Sequence, residues 1–73
     1  MTGGTQVAAP MTGIVYKLAV SPGAMVAAGE EVVILESMKM HIPVAAPVNG
    51  QVQEVRVKEG DFVEEGDVLL VLG

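Results

Sequence analysis

Apolar and polar positions along this 73-residue chain follow a pattern that stops and then starts again. In "GIVYKLAV" (13–20) the apolar positions that a later segment shares, Val15, Leu18 and Val20, keep a period of two apart from one slip between the first two. "GQVQEVRV" (50–57) repeats that order, slip included, at Val52, Val55 and Val57. A period of two is the mark of a half-buried strand, and a one-residue slip in it predicts a β-bulge, here near Tyr16-Lys17 and near Gln53-Glu54. The runs "VVILE" (32–36) and "VLLVL" (68–72) are apolar almost throughout and predict strands crossing a core. Gly or Pro recurs too often between them for a long helix, since each interior Gly costs about 1 kcal/mol and each Pro about 3 kcal/mol. "VAAGEEV" (26–32) and "VEEGDVL" (63–69) each set a Gly before the next strand, as a turn with positive φ requires.

These correspondences amount to a duplication. "AAPMTGIV" (8–15) and "AAPVNGQV" (45–52) align at an offset of 37, and the alignment continues without a gap through Val20/Val57, Gly23/Gly60, Val26/Val63, Gly29/Gly66 and Leu35/Leu72. The shared residues are Gly, Pro and branched apolars, whereas the charged positions differ, so what is repeated is framework. Two copies are too few for a solenoid. The expected fold is therefore all-β: a flattened barrel or sandwich of two four-stranded halves, related by a pseudo-twofold axis and interlocked over one core.

The copies are taken to span 8–36 and 45–73, which leaves 37–44 in neither. A connection this short between strands is a hairpin, with Lys39 at its tip. If the period of two carries through it, Met38 and Met40 point to one side and Lys39 and His41 to the other. Pro43 cannot donate to a ladder and fits an edge strand. Residues 1–5 read as a flexible N-terminus and 6–73 as one domain.

Composition narrows the function classes. Hydrophobic residues make up 51% of the chain with a single Tyr and a single Phe, so the core must be built from small branched side chains. A chain of this length buries only about 60% of its unfolded surface. There is no cysteine, hence no disulfide or thiolate metal site, and a reducing, cytoplasmic setting is expected. The net charge of −5 without a basic cluster argues against nucleic acid, which demands grouped Lys and Arg. No apolar run nears the ~20 residues of a membrane span, and "MTGGTQV" lacks the regions of a signal peptide, so no membrane partner is expected.

Only four side chains are cationic, and one of them, Lys39, stands between two methionines in "ESMKM" (36–40). Taken alone, that is a solvated turn lysine beside core methionines. Met38, Met40 and His41 also form a soft set that Cu(I) would accept. Alternation, however, sends His41 away from the methionines and no further Cys or His completes a shell, so no metal site is expected. Tyr16 and Phe62 read as core or turn packing, and His41 as a solvated or packed residue.

In its duplicated frame the motif resembles the biotinyl (biotin carboxyl carrier) domains of biotin-dependent carboxylases, within the biotin/lipoyl attachment superfamily. The resemblance runs from about Val7 to Leu72 and rests on "ESMKM", with "PMTG" (10–13) before it, "PVNG" (47–50) after it and "VKEGDFVEEGDVLLVL" at the end. It implies that Lys39 is the acceptor of covalent biotin, attached as an amide by a biotin protein ligase. Met38, Met40 and Glu36 are then recognition and positioning residues. It further implies a carrier that catalyses nothing itself, on which biotin takes up a carboxyl group at a biotin carboxylase site and gives it up at a carboxyltransferase site. The gapless halves leave no room for the "thumb" common in bacterial acetyl-CoA carboxylase carriers, so the chain is similar to the thumbless type. Lipoyl domains share the fold and the hairpin lysine, but that lysine usually follows Asp and precedes a small apolar residue; Met38 and Met40 favour biotin. An unmodified β interaction module is the remaining alternative. Amide formation needs an unprotonated amine, and with only Ser37 and Glu36 as weak candidate bases, activation falls to the ligase.

Overall fold

The computed structural model describes residues 4–73, and every element in it is a strand. In chain order these are β1 (Thr5–Ala8), β2 (Gly13–Leu18), β3 (Met25–Val26), β4 (Glu31–Ser37), β5 (Met40–Ala45), β6 (Gly50–Val55), β7 (Phe62–Val63) and β8 (Val68–Leu72). They form two four-stranded antiparallel sheets, ordered β1-β8-β6-β3 and β5-β4-β2-β7. Shifting β4 and β2 forward by 37 residues brings them onto β8 and β6, and shifting β5 and β7 back by 37 brings them onto β1 and β3, so the order of one sheet reproduces that of the other. The short strands β3 and β7 each cross to pair with the other copy, β3 on β6 and β7 on β2, so the halves interlock as expected.

The core obeys the same rule. Among the described residues fourteen hydrophobic ones are buried, and they fall into seven pairs 37 apart: Val7/Val44, Ala9/Ala46, Val15/Val52, Val26/Val63, Val32/Leu69, Val33/Leu70 and Leu35/Leu72. No aromatic residue is among them. Small branched side chains suit the narrow space between two pleated sheets, where β-branched residues pack well. Both bulges fall where the slips in alternation place them: β2 loses register against β4 between Val15 and Lys17, and β6 against β8 between Val52 and Glu54. Tyr16 and Gln53 are the extra residues.

Turns tie the copies together. The Gly29 N–H donates to the Ala46 carbonyl at 2.8 Å and the Gly66 N–H to the Ala9 carbonyl at 2.9 Å, so each copy's turn is held by the other copy's chain. Both glycines have positive φ, 90° and 92°, the third-position geometry of a type II turn that other residues adopt only with strain.

Two boundaries move. The repeat begins before Ala8, because β1 and the end of β5 correspond through the buried Val7/Val44 pair; the segment 40–45 thus belongs to the duplication, and only the tip lies outside it. Of the flexible start expected over 1–5, residues 1–3 lie outside the described residues, while Thr5 already stands opposite Leu72 in the ladder.

Candidate functional site

β4 is the longest strand and is paired along both edges, to β2 on one side and to β5 on the other. Val33 and Leu35, buried on its inner face, stand opposite Val44 and Ile42 of β5 and lock the register of the hairpin. That register makes Ser37 and Met40 the last pair, leaving Met38 and Lys39 as a two-residue loop. Pro43 lies on β5, the edge strand, where its missing N–H costs no ladder bond. At the base of the hairpin, Gly13 is buried against β4: a Cβ there would come within 2.8 Å of the Glu36 carbonyl oxygen. Any larger residue would push β2 away from the strand that carries the tip.

The loop has positive φ at both residues, 53° at Met38 and 65° at Lys39, which defines a type I′ turn. Left-handed backbone costs a residue with a Cβ about 1–2 kcal/mol, and this turn ordinarily uses Asn-Gly. Here it is made by two long side chains. The expected alternation through the tip therefore fails: Met38 and Lys39 follow each other within the turn, Met40 shares the inner-facing row with Ser37, and His41 stands opposite Glu36 on the outer row. Met38 is 91% exposed and Met40 64% exposed, and Lys39 is exposed with no side-chain hydrogen bond or ion pair among the described residues. Glu36 is half-buried and likewise unpaired among them. The primary amine at the apex is exposed and engaged by no other side chain among the described residues, which fits covalent loading of a bulky acyl group.

Tyr16 and Phe62, read from the sequence as core or turn packing, both lie outside the core, on strands. Phe62 is 64% exposed on the edge strand β7, and Tyr16, thrown outward by the bulge, stacks on His41 with ring centroids 4.1 Å apart and planes 27° apart. Sequence reasoning missed this pair, although the copies hold the signal: the counterparts of Ile14 and Tyr16 are Gln51 and Gln53. The soft-ligand set is not assembled either, since Met40 and His41 occupy opposite faces of β5 and the His41 ring is engaged with Tyr16.

A duplicated two-sheet domain that holds one free amine at the apex of a rigid hairpin defines a carrier of a covalently attached group. Residues 5–72 match the sequence profile of the family described as "Biotin-requiring enzyme". The chain belongs to that biotin/lipoyl family and is a biotin-carrier domain. Over 43 residues it is 54% identical to the biotin-dependent acyl-coenzyme A carboxylase alpha3 subunit of Mycobacterium leprae, a match that takes in 59% of this chain and 7% of that subunit. Among solved structures it is similar to a single-chain, multi-domain long-chain acyl-CoA carboxylase, at 37% identity and a TM-score of 0.90, over 97% of this chain and 7% of that one. The Kluyveromyces lactis urea carboxylase superposes over 100% of this chain and 6% of its own, at 33% identity and a TM-score of 0.92. The chain thus spans less than a tenth of the length of each of these relatives.

Proposed function

We propose that Lys39 is the residue that receives biotin, in amide linkage from a biotin protein ligase, and that the domain carries the group between a biotin carboxylase site and a carboxyltransferase site. The observation that carries this reading is the position of Lys39, exposed and unpaired in a two-residue loop whose backbone is fixed on both flanks. When bound, biotin supplies a ureido nitrogen that accepts and donates a carboxyl group. Everything the chain contributes is presentation.

A ladder of cross-strand pairs from Val33/Val44 to Ser37/Met40 holds the amine at a fixed place, so little entropy is lost when an enzyme captures it. Met38 and Met40 flank it with flexible, polarisable side chains that fill a partner's groove, a use to which methionine is well suited. Glu36, in the second cross-strand residue pair below the apex, adds an unpaired carboxylate for a cationic group on the partner. Glu36 and His41 stand near the tip, but neither is bonded to Lys39, so presentation falls to the domain and both chemical steps to its partners. Tethering raises the local concentration of the group at each site it visits. The relatives named above act on acyl-CoA in one case and urea in another while their carrier folds superpose on this one, which supports assigning the choice of acceptor to the carboxyltransferase.

Intact mass after incubation with biotin, ATP and ligase tests the assignment. One biotinyl adduct is expected, mapped to Lys39 by peptide sequencing, and none in Lys39→Arg, which keeps the fold because the tip touches no core residue. Retained labelling in that variant, or a lipoyl adduct formed in place of biotin, would overturn it.

A further inference from the structure

The two sheets share their inner faces but not their outer ones. On the sheet that carries the hairpin, the outward positions next to the tip are Ile14, Tyr16, Glu36 and His41, with Ile14, Glu36 and His41 directly opposite one another across three strands. On the other sheet the same positions hold Gln51, Gln53, Gly73 and Gly4. Ile14 is 46% and Tyr16 52% exposed, so an apolar and aromatic platform faces water on one side of the molecule and has no equivalent on the other. Within that platform stands the Glu36 carboxylate, which accepts no hydrogen bond and meets no cation among the described residues.

We propose that this platform is a resting dock for the bicyclic ring of the group carried on Lys39. The proposal rests on the assignment of Lys39 as the attachment residue. Its chemistry is complementary: the saturated face of the ring covers Tyr16 and Ile14, while the ureido N–H groups donate to the free Glu36 carboxylate. Its reach is sufficient. His41 follows Lys39 by two residues, about 7 Å of strand, and the lysine side chain together with the acyl chain of biotin is longer than that. The ring arrives on its own tether, so the contact need not be strong; at the millimolar effective concentration of a short flexible link, a contact with a dissociation constant of about 1 mM is half populated. Docked there, the ureido edge is turned toward protein between visits to the partner enzymes, and Tyr16 and His41 hold each other in place to receive it.

The test compares the apo and biotinylated domain by NMR, with loading on Lys39 verified by mass. Contacts are expected between the ring protons of biotin and the Tyr16 ring, with shifts at Tyr16, His41, Glu36 and Ile14. The only tyrosine, in a chain without tryptophan, should also change its emission on loading. Tyr16→Gln, which installs the residue of the other copy, should load biotin fully, lose these shifts and let avidin capture the ring about twofold faster or more. If that variant does not fold, Ile14→Gln serves the same purpose. Contacts confined to residues 38–40, with capture unchanged in the variant, would overturn the dock and leave the attachment intact. Failure to load Lys39 at all would overturn both.

Discussion

The hairpin and the place where β8 meets β1 are equivalent in the duplicated fold, yet they present different backbone and side chains. The step from β4 to β5 is a closed loop bearing Lys39, whereas the matching step from β8 to β1 is where the chain ends and begins, with Thr5 beside Leu72. Below these two ends the structure repeats itself down to its turn hydrogen bonds. The proposed attachment site thus sits at one end of a symmetric scaffold whose frame is the same at both. On the proposed assignment of Lys39, stability and function are separable: the buried core lies in positions that obey the offset of 37, and the attachment residue lies outside them.

The strongest test of that separation is in the core. Leu35 and Leu72 are both fully buried partners in the repeat, one beneath the hairpin and one beneath the termini. Truncation of a buried Leu to Ala costs about 2–5 kcal/mol, a large share of what a small domain has. Leu35→Ala and Leu72→Ala are expected to cost amounts that agree within about 1 kcal/mol, since each leaves the same kind of cavity between the same two sheets. Urea denaturation measures both. A much milder loss at Leu72 would show that the open end already frays, and that the symmetry is one of shape and not of energy.

The frame was readable in the sequence because backbone demands are written in residue types. A slip in alternation at Val15-Lys17 and Val52-Glu54 announced the bulges, and Gly29 and Gly66 announced turns that need positive φ. The tip was only half readable. Its place between the copies was visible, but Met-Lys is not a pair that signals a type I′ turn, so nothing in the residue types revealed that both would be left-handed. Tyr16 and Phe62 were read as core or turn packing because an aromatic side chain in a small apolar domain is ordinarily a packing residue, yet both are exposed on strands. The narrow gap between these sheets is filled by Val, Ala and Leu alone, which leaves the rings no room inside. The β1/β5 correspondence was missed because it rests on one shared buried pair, Val7/Val44, outside the longer matching runs.

The hairpin itself offers a second, smaller perturbation in which stability and function should move in opposite directions. Asn tolerates left-handed backbone better than Met, so Met38→Asn should raise stability by up to about 1 kcal/mol. It also removes an exposed thioether beside the proposed acceptor, Lys39, and the rate of biotin incorporation by a biotin protein ligase should fall about tenfold, equivalent to about 1.4 kcal/mol of lost recognition. Melting and labelling kinetics on the same sample give both numbers. Higher stability with an unchanged rate would reduce Met38 to scaffold; lower stability would mean that its side chain packs on something after all.

The smallest effect is expected on the passive side of the molecule. Arg56 and Glu54 form an ion pair at 3.4 Å, both about half exposed, on the outer side of the sheet that carries the termini. Their counterparts in the first copy are Ala19 and Lys17, so the pair breaks the repeat as surely as Lys39 does. Breaking the repeat is not by itself a sign of function, and physical context separates the two cases. A surface pair in water gains little Coulomb energy, loses side-chain freedom and is screened by salt, which leaves less than about 0.5 kcal/mol. Glu54→Gln should therefore shift the urea midpoint barely, leave biotin incorporation unchanged, and lose whatever small salt dependence the pair contributed. A loss above about 1 kcal/mol would require the pair to be shielded from solvent, contrary to its exposure, whereas slower biotin incorporation would extend the recognised surface to the far sheet. Either result would erase the division between a functional and a passive face; without one, deviation from the repeat marks function only where the deviating side chain is also exposed, unpaired and held rigidly, as it is at Lys39.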